Sequence, residues 1–334
     1  MAESFSDIGR IEAIDQLYRL SAFNPVSGLA YTSEKGGRVI TASRMFLEGI
    51  DFNLVYFPFK HLGYKCVVGT VGELYAALAH PKLLNVVLGI SAKLDFPQIK
   101  ELWLGITVAA KEHGFEAVNL DLQPSNNGLF LSLSATGETS LLTQKRRMAA
   151  KSKDLICVSG SLGAAYLGLQ VMERGAKMFH ETGEQPDMTQ YKMLVGAYLR
   201  PELDASVVER LEDVEIYPSY GYFVTRGLSD ALKRLSRDSG LGAKVYADKI
   251  PFEGNSFQLG KELDMDPVSA AMNGGDDNRL LFVVPILHLE KFRREFQTFD
   301  IIGHLAQPDA GTVLVTPEGV EFPVKAQGWT EIDA

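Results

Sequence analysis

Apolar residues along this chain recur in short blocks, some with a period of two and some with a period of three to four. Val39 and Ile40, then small polar residues, then Met45, Phe46 and Leu47 predict a strand, closed by the polar connection Glu48-Gly49-Ile50-Asp51. Pro58 then opens a long helix, at a position where a missing N–H costs nothing. Within it Leu62, Lys65, Cys66, Gly69, Gly72, Glu73 and Ala76 fall three or four apart. Glu73 therefore shares with the small residues a face that a ligand or a second helix could approach closely. Leu83 to Ser91 predicts a strand, Pro97 opens a helix to about His113, and Phe115 to Leu122 predicts a further strand. Leu129 to Ala135 alternates as a half-buried strand does, and Asn126-Asn127-Gly128 before it is a hairpin signal. Ahead of all these, Ser6 to Leu20 carries the spacing of a first helix.

The pattern breaks between Thr136 and Lys153, a polar and basic stretch. A boundary there divides the chain into an N-terminal domain over 1–140 and a C-terminal domain over 150–330. The second half predicts a strand over Asp154–Ser159, which runs through Gly160-Ser161-Leu162-Gly163 into a helix over Ala164–Glu173. Helices follow over Asp187–Leu199, Gly227–Arg237 and His288–Phe299. Strands fall over Ala243–Ala247 and Leu280–Pro285, and near Ile301, Val313 and Val320. Mixed strand and helix throughout makes this an α/β (α+β) chain in two units.

Composition narrows the function. An apolar fraction of 46% with 22% charged residues is that of a globular protein with a sizeable core. The net charge of −9 argues against a nucleic-acid surface, because phosphate neutralisation needs clustered Lys and Arg. Its densest basic run, Lys145-Arg146-Arg147 with Lys151 and Lys153, reads as a solvated connection. Cys66 and Cys157 each lie in an apolar run and suit a reducing cytosol, and no apolar run approaches the ~20 residues of a membrane span. A cytoplasmic protein without membrane contact is expected.

The usual catalytic signatures are missing: no Gly-x-x-x-x-Gly-Lys-Ser/Thr loop, no His-Glu-x-x-His and no Gly-x-Ser-x-Gly elbow. Gly160 and Gly163 at a strand–helix junction offer backbone N–H groups to an anion, or simply reverse the chain. Gly274-Gly275-Asp276-Asp277 offers close backbone approach and two acids that could hold a cation or substrate donors, or is a tight turn with solvated acids. Asp121 closes a predicted strand.

These stretches carry a resemblance to the thiamine-monophosphate kinases, relatives of aminoimidazole ribonucleotide (AIR) synthetase. Leu47-Glu48-Gly49-Ile50-Asp51-Phe52, Lys60-His61-Leu62-Gly63-Tyr64-Lys65 and Leu74-Tyr75-Ala76 sit where that family's pattern wants them. Further matches fall at Arg147, Val158 to Ala165, Leu199-Arg200-Pro201, Ile302-Gly303-His304 and Ala326-Gln327-Gly328-Trp329. The acids are altered. Arg44 stands at the Asp of the family's Thr-Thr-Asp, and Glu73 at the Asp of its Asn-x-Ser-Asp. Asp-x-Ser-Asp-Gly-Leu becomes Phe223-Val-Thr-Arg226-Gly227-Leu228, with Arg226 at an Asp. Asn278 and Arg279 replace the Tyr-Glu that ends Gly-Gly-Glu-Asp-Tyr-Glu, and Asp121 matches the Asp of Gly-Gly-Asp-Thr-Thr without its neighbours. No Asp lies between Asp15 and Asp51, so the motif Gly-x-Gly-Asp-Asp-Ala-Ala is lost.

The resemblance implies a two-domain fold: an N-terminal mixed sheet with helices that dimerises, and a C-terminal sheet covered by helices. It implies ATP and magnesium as cofactors, a phosphorylated small molecule or nucleotide as ligand, and a homodimer. Arg147, Gly160, Gly163, Gly274, Gly275, Asp276 and Asp277 are the implied nucleotide or substrate contacts, with Asp121 as the catalytic candidate. Glu73 and Asp121 are the surviving metal candidates. Arg44 and Arg226 are expected to occupy the space of the cations and to pair with Glu73 and Asp121. The function expected is that of a kinase-like protein with lost or weakened magnesium-dependent phosphoryl transfer, kept as a ligand-binding or partner protein. The alternative is an active kinase acting on thiamine monophosphate or a related phosphorylated small molecule.

Overall fold

The structure, a computed structural model, describes residues 29–32 and 37–329. The helix expected over Ser6–Leu20 and the altered motif before Gly28 lie outside the described residues. The first unit holds β1 (Leu29–Thr32), β2 (Arg38–Leu47), α1 (Phe59–Ala76), β3 (His80–Ser91), α2 (Phe96–Glu112), β4 (Ala117–Ser125) and β5 (Phe130–Thr139). After α3 (Leu141–Arg146) come β6 (Leu155–Ser159), α4 (Ala164–Thr182), α5 (Lys192–Leu199), α6 (Val207–Asp213), β7 (Tyr220–Val224) and α7 (Leu228–Ser239). The chain continues through β8 (Gly242–Tyr246), α8 (Ser256–Leu263), α9 (Pro267–Asn273), β9 (Arg279–Val284), α10 (Leu289–Glu295), β10 (Phe299–Ala306), β11 (Thr312–Val315) and β12 (Glu321–Pro323).

Two mixed sheets result, each flanked by helices. The five-stranded sheet runs β1-β2-β5-β3-β4, and the seven-stranded sheet β12-β11-β8-β10-β6-β9-β7. β3–β4 and β8–β11 are the parallel pairs, and the remaining pairs are antiparallel. The hairpin expected at Asn126-Asn127-Gly128 does not form. β4 pairs with β3, and β5 lies on the far side of β3, between it and β2. Gly128 takes the positive φ of +85° that the signal demands, yet long-range pairing decides which strand β5 joins. The stretch read as a polar connection holds the end of β5 and α3, whose first turn is capped by the Ser140 hydroxyl accepting from Thr143 N at 3.0 Å.

Helix α1 is buried almost all round, as its apolar residues on every side require. It packs on β2 and β5 of its own sheet, on α2, and on β7 and β9 of the other sheet. The face of small residues is therefore used, and what approaches it is a strand: a Cβ at Gly72 would run into the Phe223 ring of β7. On the α2 side, Cβ atoms at Gly63 and Gly105 would run into the facing backbone, so these glycines permit the close helix crossing. One core consequently joins the two sheets, from Phe46, Leu131 and Leu133 through Val68 and Val71 to Phe223, Phe282 and Val284. The opposite face of the seven-stranded sheet holds a second core with Tyr222, Val224, Leu281 and Val283 under α7. Burial on both faces explains the unbroken apolar run Leu280-Leu281-Phe282-Val283-Val284.

Candidate functional site

Where α1 passes between the sheets it carries Lys65, which is only 5% exposed at its side chain. The ammonium pairs with Asp276 Oδ2, donates to the Tyr198 carbonyl at 2.7 Å, and sits 3.8 Å from the centre of the Tyr198 ring and 5.2 Å from that of Phe57. Burial lowers its pKa and Asp276 opposes the shift. Asp276 reaches this position on a turn with φ of +83° at Gly275, +65° at Asp276 and +53° at Asn278. For the two non-glycine residues this backbone is strained, and strain of this kind persists where surrounding contacts over-determine it. The contacts here are Asp276 N donating to Thr225 O at 2.8 Å and Asn278 Nδ2 donating to Asp276 O at 2.6 Å. Arg44, on the α1-facing side of β2, completes the group: Nη2 stands 3.9 Å from Asp276 Oδ1, Nη1 donates to Gly69 O at 3.4 Å, and the guanidinium lies 4.8 Å from the Phe46 ring centre.

A second charged group forms at the start of α7. Asp230, buried, faces Arg234 Nε at 3.0 Å and Arg226 Nη1 at 3.7 Å, and its Oδ1 accepts from Trp329 Nε1 at 3.0 Å. Glu73 lies between the two groups. Burial pushes its pKa up, and the positive charges of Arg234, Arg226 and Arg44 pull against that. The charges of both arginines bear on Glu73, but neither makes the expected ion pair with Glu73 or Asp121 among the described residues; Arg44 stands within ion-pair distance of Asp276 and Arg226 of Asp230.

Asp121 is elsewhere. The register carries Met45 of β2 across to Ser132 of β5, Val87 of β3 and Asp121 of β4, whereas Arg44 lies in line with the buried Leu133 and Val86. Alternation along a strand therefore puts Asp121 on the sheet face opposite Arg44 and Glu73. It is exposed, and it accepts from Gln123 Nε2 at 3.0 Å. Within this chain it does not meet Arg44 or Glu73.

The glycine candidates divide. Gly274 and Gly275 form the turn that delivers Asp276. Gly160 (φ +69°) and Gly163 (φ +74°) lie at the junction before α4. Its amides are occupied by the protein's own carboxylate: Gly163 N and Ala165 N donate to Asp277 at 2.8 and 3.2 Å. Asp277 is buried, and burial pushes its pKa up to about 7 against those two hydrogen bonds. Arg147 lies apart, with Nε donating to the Pro218 and Ser219 carbonyls at 2.9 and 3.0 Å. It lines a cleft of about 670 Å³ bounded by Arg38 and Ile40 of β2, the end of α1, β7 and α7, which Glu73 also lines.

A model of the AIR synthase related protein, N-terminal domain, matches residues 28–139. The chain is 23% identical over 255 residues to the thiamine-monophosphate kinase of Aquifex aeolicus, covering 76% of this chain and 78% of that protein. To the thiamine-monophosphate kinase of Bacillus subtilis it is 21% identical over 303 residues, covering 90% of each. Among solved structures, AaThiL complexed with AMPPCP and TMP superposes with a TM-score of 0.81 at 19% identity, covering 99% of this chain and 100% of that one. The hydrogenase maturation protein HypE of E. coli superposes at 0.65 with 15% identity, covering 97% and 99%. Over residues 28–139 the chain thus resembles the AIR synthase related N-terminal domain, and over its length it shares the fold of these solved structures.

The cofactor expected from the resemblance is a magnesium nucleotide, and magnesium takes an octahedron of oxygen donors. The described residues do not offer it. Among the described residues no group of three or more His, Cys, Asp or Glu side chains could hold a metal ion. Asp276 is already paired with Lys65 and Arg44, and Asp230 with Arg234 and Arg226. The first position of the stretch that resembles Asp-x-Ser-Asp-Gly-Leu is Phe223, fully buried against Gly72 beside Glu73. Lys65, Phe223 and Asp230 are the residues that sequence reasoning missed as members of the site. A lysine inside the apolar run Tyr64-Lys65-Cys66-Val67-Val68 was the available signal, since such a charge needs a partner.

Proposed function

We propose that this chain is a thiamine-monophosphate-kinase-like protein whose magnesium-dependent phosphoryl transfer is lost, retained as a ligand-binding or partner protein. The observation that carries the reading is the engagement of Asp276 by Lys65 and Arg44. A metal ion would have to displace an ammonium and a guanidinium and then sit beside their charge. Phosphoryl transfer depends on neutralising the nucleotide's phosphates and holding them in line, and a guanidinium stabilises phosphate oxygens without bridging them as the ion does. The likeness to a kinase complexed with AMPPCP and TMP supports a phosphorylated ligand or nucleotide for the cleft.

The test is a turnover assay with ATP, thiamine monophosphate and magnesium. No diphosphate product above the enzyme-free control is expected. Product formed at a rate that scales with protein concentration supports the second reading instead, an active kinase in which Arg44 and Arg226 stand in for metal charge. On the preferred reading the domains are 1–140 and 150–330. The first pairs with a second copy through the sheet face that carries Met45, Ser132 and Asp121; a monodisperse monomer by light scattering rules that pairing out.

A further inference from the structure

The seven-stranded sheet ends at β7, and the cleft runs along that free edge, lined by Ser219, Tyr220, Gly221 and Tyr222. The main-chain groups of an open edge are a template for another strand. Here side chains cap them: Arg147 Nε donates to the Pro218 and Ser219 carbonyls at 2.9 and 3.0 Å, and Arg234 Nη2 to the Phe223 carbonyl at 3.2 Å. Carbonyl directions alternate along a strand, so those of Ser219 and Phe223, an even number of residues apart, share a side. The cleft is lined as well by Met148, Ala149 and Ala150, which form no helix or strand. Among the described residues their N–H groups donate to no acceptor. Acceptors capped by side chains and donors without acceptors therefore border one cavity. Its charge also stands out: Arg38, Arg147, Arg234 and Arg237 line it against Glu73 and Asp238, on a chain of net charge −9.

We propose that the β7 edge is a docking site for an extended acidic segment of a partner protein, which adds to the sheet as a further strand. The proposal takes up the partner half of the reading above and rests on it. The incoming segment's N–H groups replace the guanidiniums on the Ser219 and Phe223 carbonyls, and its carboxylates pair with the arginines so released. Its carbonyls accept from the amides of Met148 to Ala150. Main-chain pairing of this kind supplies affinity, and the alternating side chains supply selectivity. β7 is five residues long, so the matching segment has a similar length, roughly 17 Å. The sign of the cleft opposes that of the whole chain, which favours an acidic occupant over a second copy of this acidic chain.

Fluorescence anisotropy with the full chain and a labelled, end-capped peptide of alternating glutamate and valine, about six residues long, tests this. The glutamate peptide is expected to bind and its lysine counterpart not to. Methylating one alternate set of the peptide's amide nitrogens is expected to weaken binding by roughly tenfold or more, and methylating the other set to leave it, because only one edge of an added strand donates to β7. Arg38→Glu is expected to weaken binding by a similar factor. Ala149→Pro removes an amide that the fold does not use, so it should weaken binding while the urea midpoint stays in place. Arg38→Glu, at an exposed strand position, keeps the test decisive if the proline variant misfolds. The proposal is overturned if the glutamate peptide does not bind, if the lysine peptide binds as well, if both methylated sets are tolerated, or if Arg38→Glu leaves affinity unchanged. Self-association of the chain that Arg38→Glu abolishes would give the edge to a second copy and overturn the choice of occupant. Turnover with ATP and thiamine monophosphate would overturn the underlying reading, whereas absent turnover with absent peptide binding overturns this inference alone.

Discussion

Asp277 shows how an acid in a glycine-rich turn can serve the fold itself. Its carboxylate fills the junction before α4, with a pKa raised from 3.8 to about 7. The folded chain therefore holds this proton where the unfolded chain has released it. By linkage the contribution to stability is greatest below pH 3.8, declines as pH rises, and is gone above about 7. His113, buried against the Tyr75 hydroxyl at 3.0 Å and lowered to about 4, works in the opposite sense and favours the fold more as pH rises from 4 to 6.5. Asp277→Asn is expected to remove the declining contribution, so the wild-type minus variant difference in urea midpoint falls between pH 4 and 7. A difference independent of pH would show that Asp277 is ionised throughout. At this scale the sequence disclosed Arg44 and Arg226 because each reverses a charge in a recognisable motif. It hid Asp230, whose i,i+4 spacing to Arg226 and to Arg234 is that of any solvated helix pair.

At the scale of elements, α1 was legible from its opening proline and its spacing, and so was the alternation of β5, whose odd positions from Leu131 to Thr139 are buried. The partner of the small-residue face was not legible, because period and size specify a face but not its occupant. Nor was the pairing of β4 and β5. A turn signal is local, whereas β3 enters between β5 and β4 through contacts far apart in sequence. That same register puts Asp121 on the sheet face away from Arg44, since one residue's step along a strand turns a side chain to the other face. Gly72→Ala tests the α1–β7 contact. The added methyl must displace the Phe223 ring, and a loss of about 1–3 kcal/mol in chemical unfolding is expected. An unchanged midpoint would mean that the strand moves away at no cost.

Across the whole molecule, the Lys65–Asp276 pair joins the helix of one sheet to the turn that leads into β9 of the other. Lys65→Met keeps most of the apolar stem but leaves Asp276 without its closest cation. Because Asp276 retains 28% exposure and Arg44 at 3.9 Å, the loss should stay at about 1–3 kcal/mol. Pairing this variant with Asp276→Asn should give a cost well short of additive; a fully additive pair would deny the coupling. A mixed α/β chain and its family resemblance could be read from the sequence, but not the single core that joins the two sheets, which exists because Phe223 and Phe282 come down onto Val68 and Val71.

The seat of Phe223 also bears on which substitutions this chain can accept. Placing aspartate at 44 and 226 would still leave an aromatic ring at 223, where the resembled motif has a third acid. Exchanging the ring for aspartate would strip the shared core of one of its largest members and press a charge against bare helix backbone at Gly72. An aspartate at 223 would therefore cost packing at the joint between the two sheets before it could serve any cation.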